Sequence, residues 1–344
     1  ALVLEPAVWW LLRATTGFCF AVLYMVIESW LNEKSTNETR GLVFSVYTII
    51  NLTVITAGQM LLMTADPASF PLFAFASILV SIAAVPIALT RIEQPAPLDI
   101  VQLRLKRLFL ISPVGVVGCV AVGLANGAFW SLAPVYALTS MGAASVSNVA
   151  WFMSIVVIAG AVGQWPIGRL SDRMDRRRLI TGVAAVAALA SGLGYLFGEV
   201  FEILILSALL AGGLAQPLYA LLIAYTNDYL DPDEMAAASG GLIFINGLGA
   251  ISGPPLVAWL MGAVGPAGFW LFLALVLAAI ALYCLYRMTV RPSAYAVEAG
   301  DYDAVPYAQV LPTATPYAVV TAQELYAEAA EDMAEAQADD NPPG

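Results

Sequence analysis

Nine apolar stretches, near residues 8–30, 41–63, 70–90, 111–138, 147–168, 179–198, 204–226, 237–262 and 267–288, are each long enough to cross a bilayer, with short polar loops between them. A hydrocarbon core takes roughly 20 helical residues, and inside it the backbone must satisfy its own hydrogen bonds. Strands of a membrane barrel would be about ten residues long and would alternate in polarity. These stretches do neither, so the expected fold is an all-α integral membrane protein with nine transmembrane helices. The composition agrees, with 60% of residues apolar and 11% charged, against about a quarter charged in soluble domains.

Basic residues sort cleanly among the loops. Lys34 and Arg40 lie in one loop; Arg91, Arg104, Lys106 and Arg107 in another; Arg169, Arg173, Arg176, Arg177 and Arg178 in a third; Arg287 and Arg291 come after the last stretch. These are alternate loops, and they hold all of the 14 Lys and Arg residues except Arg13. The loops between them, 64–69, 139–146, 199–203 and 263–266, contain no base. The positive-inside rule places the basic loops and the C-terminus in the cytoplasm, so a multi-pass membrane protein with a cytoplasmic C-terminus is expected. The acidic loop 227–236 falls on the same side yet carries no base.

The formal charge of −11 comes from the C-terminal tail. Residues 292–344 hold ten Asp and Glu and no Lys or Arg, which leaves 14 bases against 15 acids elsewhere. Residues 289–344 are too polar and too rich in Ala, Pro and acid to bury a core, and are expected to be a disordered cytoplasmic tail. An acidic tail speaks against nucleic acid as a partner. The chain has no His, which excludes His-based metal sites and triads, and Cys19, Cys119 and Cys284 are scattered through apolar stretches as small packing residues. With no GxSxG, no paired intramembrane acids and no metal-ligand spacing, neither an enzyme nor a cofactor is expected.

Shifting the chain by 195 positions aligns residues 13–62 with 208–257 without a gap. Gly17 meets Gly212, Leu23-Tyr24 meets Leu218-Tyr219, Asn32 meets Asn227, Ile50-Asn51 meets Ile245-Asn246, and Gly58 meets Gly253. Loop 31–40 falls on loop 226–235. The first two helices are then partners of the seventh and eighth. Residues 1–90 read as the second half of one six-helix bundle, 91–110 as a cytoplasmic linker, and 111–288 as a complete second bundle. Three further helices, on the order of 80–95 residues, are expected upstream, since two parallel halves are a recognised transporter plan.

Gly168-Arg-Leu170-Ser-Asp172-Arg173-Met-Asp-Arg176-Arg177 resembles the signature loop of the major facilitator superfamily, G-x-L-x-D-R-x-G-R-[KR], with Asp175 standing where that family usually has Gly. Leu12-Arg13-Ala-Thr-Thr-Gly17 is similar to the R-x-x-x-G motif of the family's fourth helix. Glu28-Ser-Trp-Leu-Asn-Glu with Asn37-Glu-Thr-Arg40-Gly41 looks like the loop after that helix in the bacterial YcaD-like branch. The resemblance covers residues 8–288. It implies the superfamily's fold, with the nine helices equivalent to the fourth to twelfth of twelve, and secondary transport of a small organic or amphipathic solute by rocker-type alternating access. The implied partners are that solute, membrane lipid and protons as a coupling ion, and a monomer is expected.

Arg13 is the sharpest candidate, because an Arg inside a lipid-spanning segment costs roughly 2.5–3.5 kcal/mol on insertion scales and usually faces a cavity or a partner. In the superfamily this Arg is associated with proton coupling. Tyr24, Asn51, Asn126, Trp130, Gln216, Tyr219 and Asn246 supply polar and aromatic groups at mid-membrane depth, with Tyr24/Tyr219 and Asn51/Asn246 expected to face each other across the pseudo-axis. Each also has a plainer reading as helix–helix contact. A cytoplasmic gate is expected from Gly168, Asp172, Arg173, Arg176, Asp233 and Glu234, with Asp172 accepting from a helix N-terminus and Arg173 or Arg176 pairing with Asp233 or Glu234. The competing function is a non-transporting membrane scaffold or assembly factor acting through the acidic tail.

Overall fold

A computed structural model describes residues 5–34, 37–61, 63–64, 70–89, 105–140, 146–171, 173–230 and 232–290. Among these residues there are helices and turns but no strand. The order is α1 (Pro6–Lys34), α2 (Asn37–Leu61), α3 (Phe70–Leu89), α4 (Leu105–Ile111), α5 (Pro113–Ser140), α6 (Val146–Ser171), α7 (Arg176–Phe197), α8 (Phe201–Ser207), a π-helical turn (Ala208–Gly212), α9 (Gly213–Asn227), α10 (Pro232–Val264) and α11 (Gly268–Val290). The tail beyond Val290 and most of linker 91–110 lie outside the described residues.

Seven helical stretches among the described residues are long and apolar enough to cross a membrane: Pro6–Tyr24, Pro113–Ser140, Val149–Ser171, Arg176–Phe197, Phe201–Asn227, Ala237–Val264 and Gly268–Val290. The expected count of nine is not met among these residues. The second and third expected spans fall on α2 and α3, whose apolar parts, Ile49–Leu61 and Phe70–Pro86, are shorter. α2 opens with the polar run Asn37-Glu-Thr-Arg40, so much of its first two turns is not hydrocarbon-like.

Two boundaries also differ from expectation. The stretch 204–226 is not one regular helix, because a π turn separates α8 from α9. Gly212-Gly213 and the missing N–H of Pro217 weaken the α-helical ladder there, and the wider π turn replaces it. The acidic loop 227–236 is cut short because α10 begins at Pro232. Proline is pre-organised for the first helical position, and Asp233 and Glu234 in the next positions suit the helix dipole.

The core belongs to α5–α11. α5 packs on α6, α9, α10 and α11, while α7 packs on α9 and α11. α5 and α10 come together backbone to backbone: a Cβ built on Gly123 would lie 2.1 Å from the Asn246 carbonyl oxygen, and one on Gly249 would lie 2.3 Å from that of Val120. Gly127 and Gly253 make the same approach one turn on, to the carbonyls of Ala250 and Leu124. Small residues at this spacing let membrane helices meet closely. α10 and α11 are joined through Gly265 at φ 87, a left-handed conformation that glycine adopts without strain. α1 and α3 are mostly exposed, and α2 packs on α6.

The 195-residue repeat has a counterpart in the helix starts. α1 begins at Pro6 and α8 at Phe201; α2 begins at Asn37 and α10 at Pro232, and both pairs stand at that same offset.

Candidate functional site

One end of the α5–α11 bundle is tied together by polar contacts that cross between elements. Arg176, in the first turn of α7, is buried and forms an ion pair with Asp228, just past the end of α9. Its Nε donates to Ser171 Oγ at 3.0 Å, which reaches the last residue of α6. Its Nη1 also donates to the Ala224 carbonyl at 3.5 Å, in the last turn of α9, an oxygen that also accepts from Asp228 N–H at 3.2 Å. A guanidinium there is favoured by the helix dipole as well as by Asp228.

Two neighbouring contacts brace the same end. Thr226 donates to the Leu222 carbonyl at 2.8 Å, so Ser112 is the donor in the 3.0 Å contact between the two hydroxyls. Ser112 Oγ in turn accepts from Gly115 N–H at 3.2 Å, capping α5. Arg107 on α4 pairs with Glu234 on α10 at 2.5 Å. That pair is partly exposed and of modest worth.

Arg176 meets Asp228, an acid outside the expected pairing, and Glu234 meets Arg107. Asp233 and Glu234, expected on a loop, sit in the first turn of α10, one step beyond the turn that brings Asp228 to Arg176. Arg173 is exposed and Gly168 is buried. Asp172 and the side chain of Asp233 lie outside the described residues. At α7 the N-terminal cap is Asp175, whose Oδ1 accepts from Arg177 N–H at 2.9 Å. The residue that departs from the family's glycine is therefore the one that starts the helix.

Deeper in the bundle, α5, α6, α9 and α10 each contribute a buried amide side chain: Asn126, Gln164, Gln216 and Asn246. Asn246 donates to the Cys119 carbonyl at 3.2 Å, joining α10 to α5. Gln216 lies over Gly160 of α6, and its Cγ would be 2.7 Å from a Cβ there. Among the described residues, Asn126 Nδ2 and the Tyr219 hydroxyl are buried with no hydrogen-bond partner. Trp130 is half-buried and meets Phe129 edge-on at 6.0 Å. The burial of Gln164 and the pairing of Asp228 with Arg176 are features for which the sequence carries no signal.

The candidates on the first helices are placed differently. Arg13 is exposed, while Tyr24 and Asn51 are half-buried. Asn51 bonds back to the Tyr47 carbonyl of its own helix at 2.9 Å, whereas Asn246 bonds across to α5. Tyr219 is fully buried among α5–α11.

Seven helices of membrane-crossing length and apolarity among the described residues define a multi-pass α-helical membrane protein. A sequence profile of the Major Facilitator Superfamily matches residues 115–320, more than half of the chain, and the chain belongs to that superfamily. The uncharacterized MFS-type transporter YcaD of Escherichia fergusonii is 27% identical over 262 residues, covering 74% of this chain and 65% of that protein. An uncharacterized MFS-type transporter of Enterobacter sp. strain 638 is 28% identical over 261 residues, with the same coverages of 74% and 65%. One from Yersinia pestis strain Pestoides F is 26% identical over 305 residues, 87% of this chain and 74% of that protein. The chain thus spans just under two thirds of the length of the first two relatives. No solved structure matches it.

Proposed function

We propose that the protein acts as a secondary transporter, moving a small organic or amphipathic solute across a bacterial inner membrane by alternating access, with the arginine-loop end facing the cytoplasm. The observation that carries this reading is the Arg176–Asp228 pair. It is a desolvated ion pair at one end of a transporter-family bundle, and it joins the α6–α7 turn to the end of α9. An ion pair buried at a helix-bundle end is a two-state latch: intact, it closes that end; broken, it frees α9 from α7. Ser171 and the Ala224 carbonyl hold the guanidinium in place when the latch is shut.

The solute path in this reading runs past Asn126, Trp130, Gln164 and Gln216. An amide can donate and accept, and the two groups of Asn126 and Tyr219 that lack partners are ready to bind. Such a lining suits a neutral or singly charged amphipath better than a highly charged ion. Arg13, Tyr24 and Asn51 are the matching candidates on the repeat-related helices, and Asn246 is assigned to holding α10 on α5. In the same reading, residues 1–90 belong to the first six-helix half and 111–288 form the second, which the equal offsets of the helix starts support.

The test is flux through reconstituted protein. Proteoliposomes carrying the full chain should show saturable counterflow of small amphipathic solutes, lost in Gln216→Ala and slowed in Asp228→Asn. A folded, inserted protein that moves none of them, or whose flux ignores both substitutions, contradicts the reading.

A further inference from the structure

At the arginine-loop end the described acids are already engaged within the bundle. Asp175 caps α7, Asp228 holds Arg176, and Glu234 holds Arg107. Several cations of the same end remain outward-facing: the side chains of Arg169, Arg173 and Arg178 along the α6–α7 segment, and Lys106 on α4, are exposed. Arg169 lies 4.9 Å above the ring of the exposed Trp165, which holds its charge at the surface.

α11 finishes at this end as well, since Cys284 lies against Thr181 and near Arg177 of α7. The chain therefore leaves the bundle at Val290 beside the arginine segment. Beyond that exit run residues 292–344, with ten acids and no base. The first of these acids, Glu298, is eight residues past Val290, a reach of about 28 Å of extended chain.

We propose that the acidic segment 298–340 of this chain docks on the exposed cationic residues Arg169, Arg173, Arg178 and Lys106 at this end of the bundle. The charges are complementary. Because segment and face belong to one chain, their encounter is intramolecular, and covalent linkage of this kind gives effective concentrations of up to the millimolar range. Free acidic proteins must match that concentration to compete. The contact is between solvated charges, so salt screens it, with a screening length that falls from about 8 Å at physiological ionic strength to about 3 Å at 1 M. Docking of this kind depends on the fold and its charges alone, and stands whether or not the protein moves a solute.

The chain has only two lysines, Lys34 and Lys106, so carbodiimide coupling of carboxylates to amines reads the contact directly. Full-length protein in neutral phosphatidylcholine nanodiscs would be coupled at low salt and mapped by mass spectrometry. The expected product is an amide between Lys106 and an acid of 298–340 within one chain. It should fall about tenfold at about 1 M salt, and fall also in the Arg173→Gln/Arg178→Gln double variant, whose thermal midpoint stays unchanged. No such product at low salt, a product indifferent to salt, or one confined to cross-linked dimers overturns the proposal. Loss of the product when phosphatidylglycerol is added at low salt assigns the face to lipid headgroups and overturns it too.

Discussion

Arg176 and Asp228 stand 52 positions apart in the chain and form an ion pair whose side chains are 2% and 5% exposed. Removing one partner leaves a buried charge without its counter-charge, at a cost of about 3–5 kcal/mol. Asp228→Asn and Arg176→Gln should each lower the thermal midpoint of the solubilised protein sharply. The double variant should lose clearly less than the two single losses added together. Additive losses would mean that the two side chains do not act as a pair.

The α5–α10 seam makes a second prediction. A Cβ on Gly123 would meet the Asn246 carbonyl oxygen at 2.1 Å, and that neighbour is backbone, which cannot swing away. Gly123→Ala and Gly249→Ala should therefore destabilise by at least about 1–3 kcal/mol. Gly163 in α6 has nothing within 4 Å of its added Cβ. Gly163→Ala should be neutral or stabilising by about 0.5–1 kcal/mol. Thermal unfolding of the three variants under one condition checks both signs.

Asp175 should behave as a helix cap. Asp175→Ala removes the acceptor for Arg177 N–H and should cost about 1 kcal/mol, while Asp175→Ser and Asp175→Asn should cost little. Asp175→Gly, which restores the family's usual residue, should cost only a few tenths of a kcal/mol. Equal losses in all four variants would point to the carboxylate charge rather than the cap.

Asn246 separates a packing role from a binding role. Its amide donates to the Cys119 carbonyl, and such contacts in membranes average about 0.6 kcal/mol. Asn246→Leu should lower stability by about that much and leave the affinity for any transported solute unchanged. Gln216→Ala should do the reverse.

Much of this structure is legible from residue order alone. Bilayer-length apolar runs mark the membrane-length helices between residues 113 and 290, because hydrocarbon imposes a length and forbids exposed backbone polar groups. The arginine block marks the end of the bundle where Arg176 pairs with Asp228. That Asp228 meets Arg176 is not legible, because polarity alone runs the loop on to residue 236 and offers Asp233 and Glu234 as partners. Pro232 starts α10 early, which carries those two acids onto a helix and leaves Asp228 at the turn. Gly212-Gly213 and Pro217 mark a weak point in the ladder of 204–226, but the apolar run around them does not say that a π turn at Ala208–Gly212 takes its place. Gln164 is silent in the sequence because a single amide in an apolar run does not show that the fold buries it.

Thiol accessibility of Gln216→Cys, with and without Asp228→Asn, tests the latch most directly. A membrane-impermeant maleimide is added from the side of the arginine segment, and Cys119, which is fully buried, serves as the folding control. Alternating access behind the Arg176–Asp228 pair predicts slow labelling of position 216 in the intact background, severalfold faster labelling once the pair is broken, and no labelling of Cys119 in either. Equal labelling rates at position 216 in the two backgrounds, with Cys119 still protected, would contradict it.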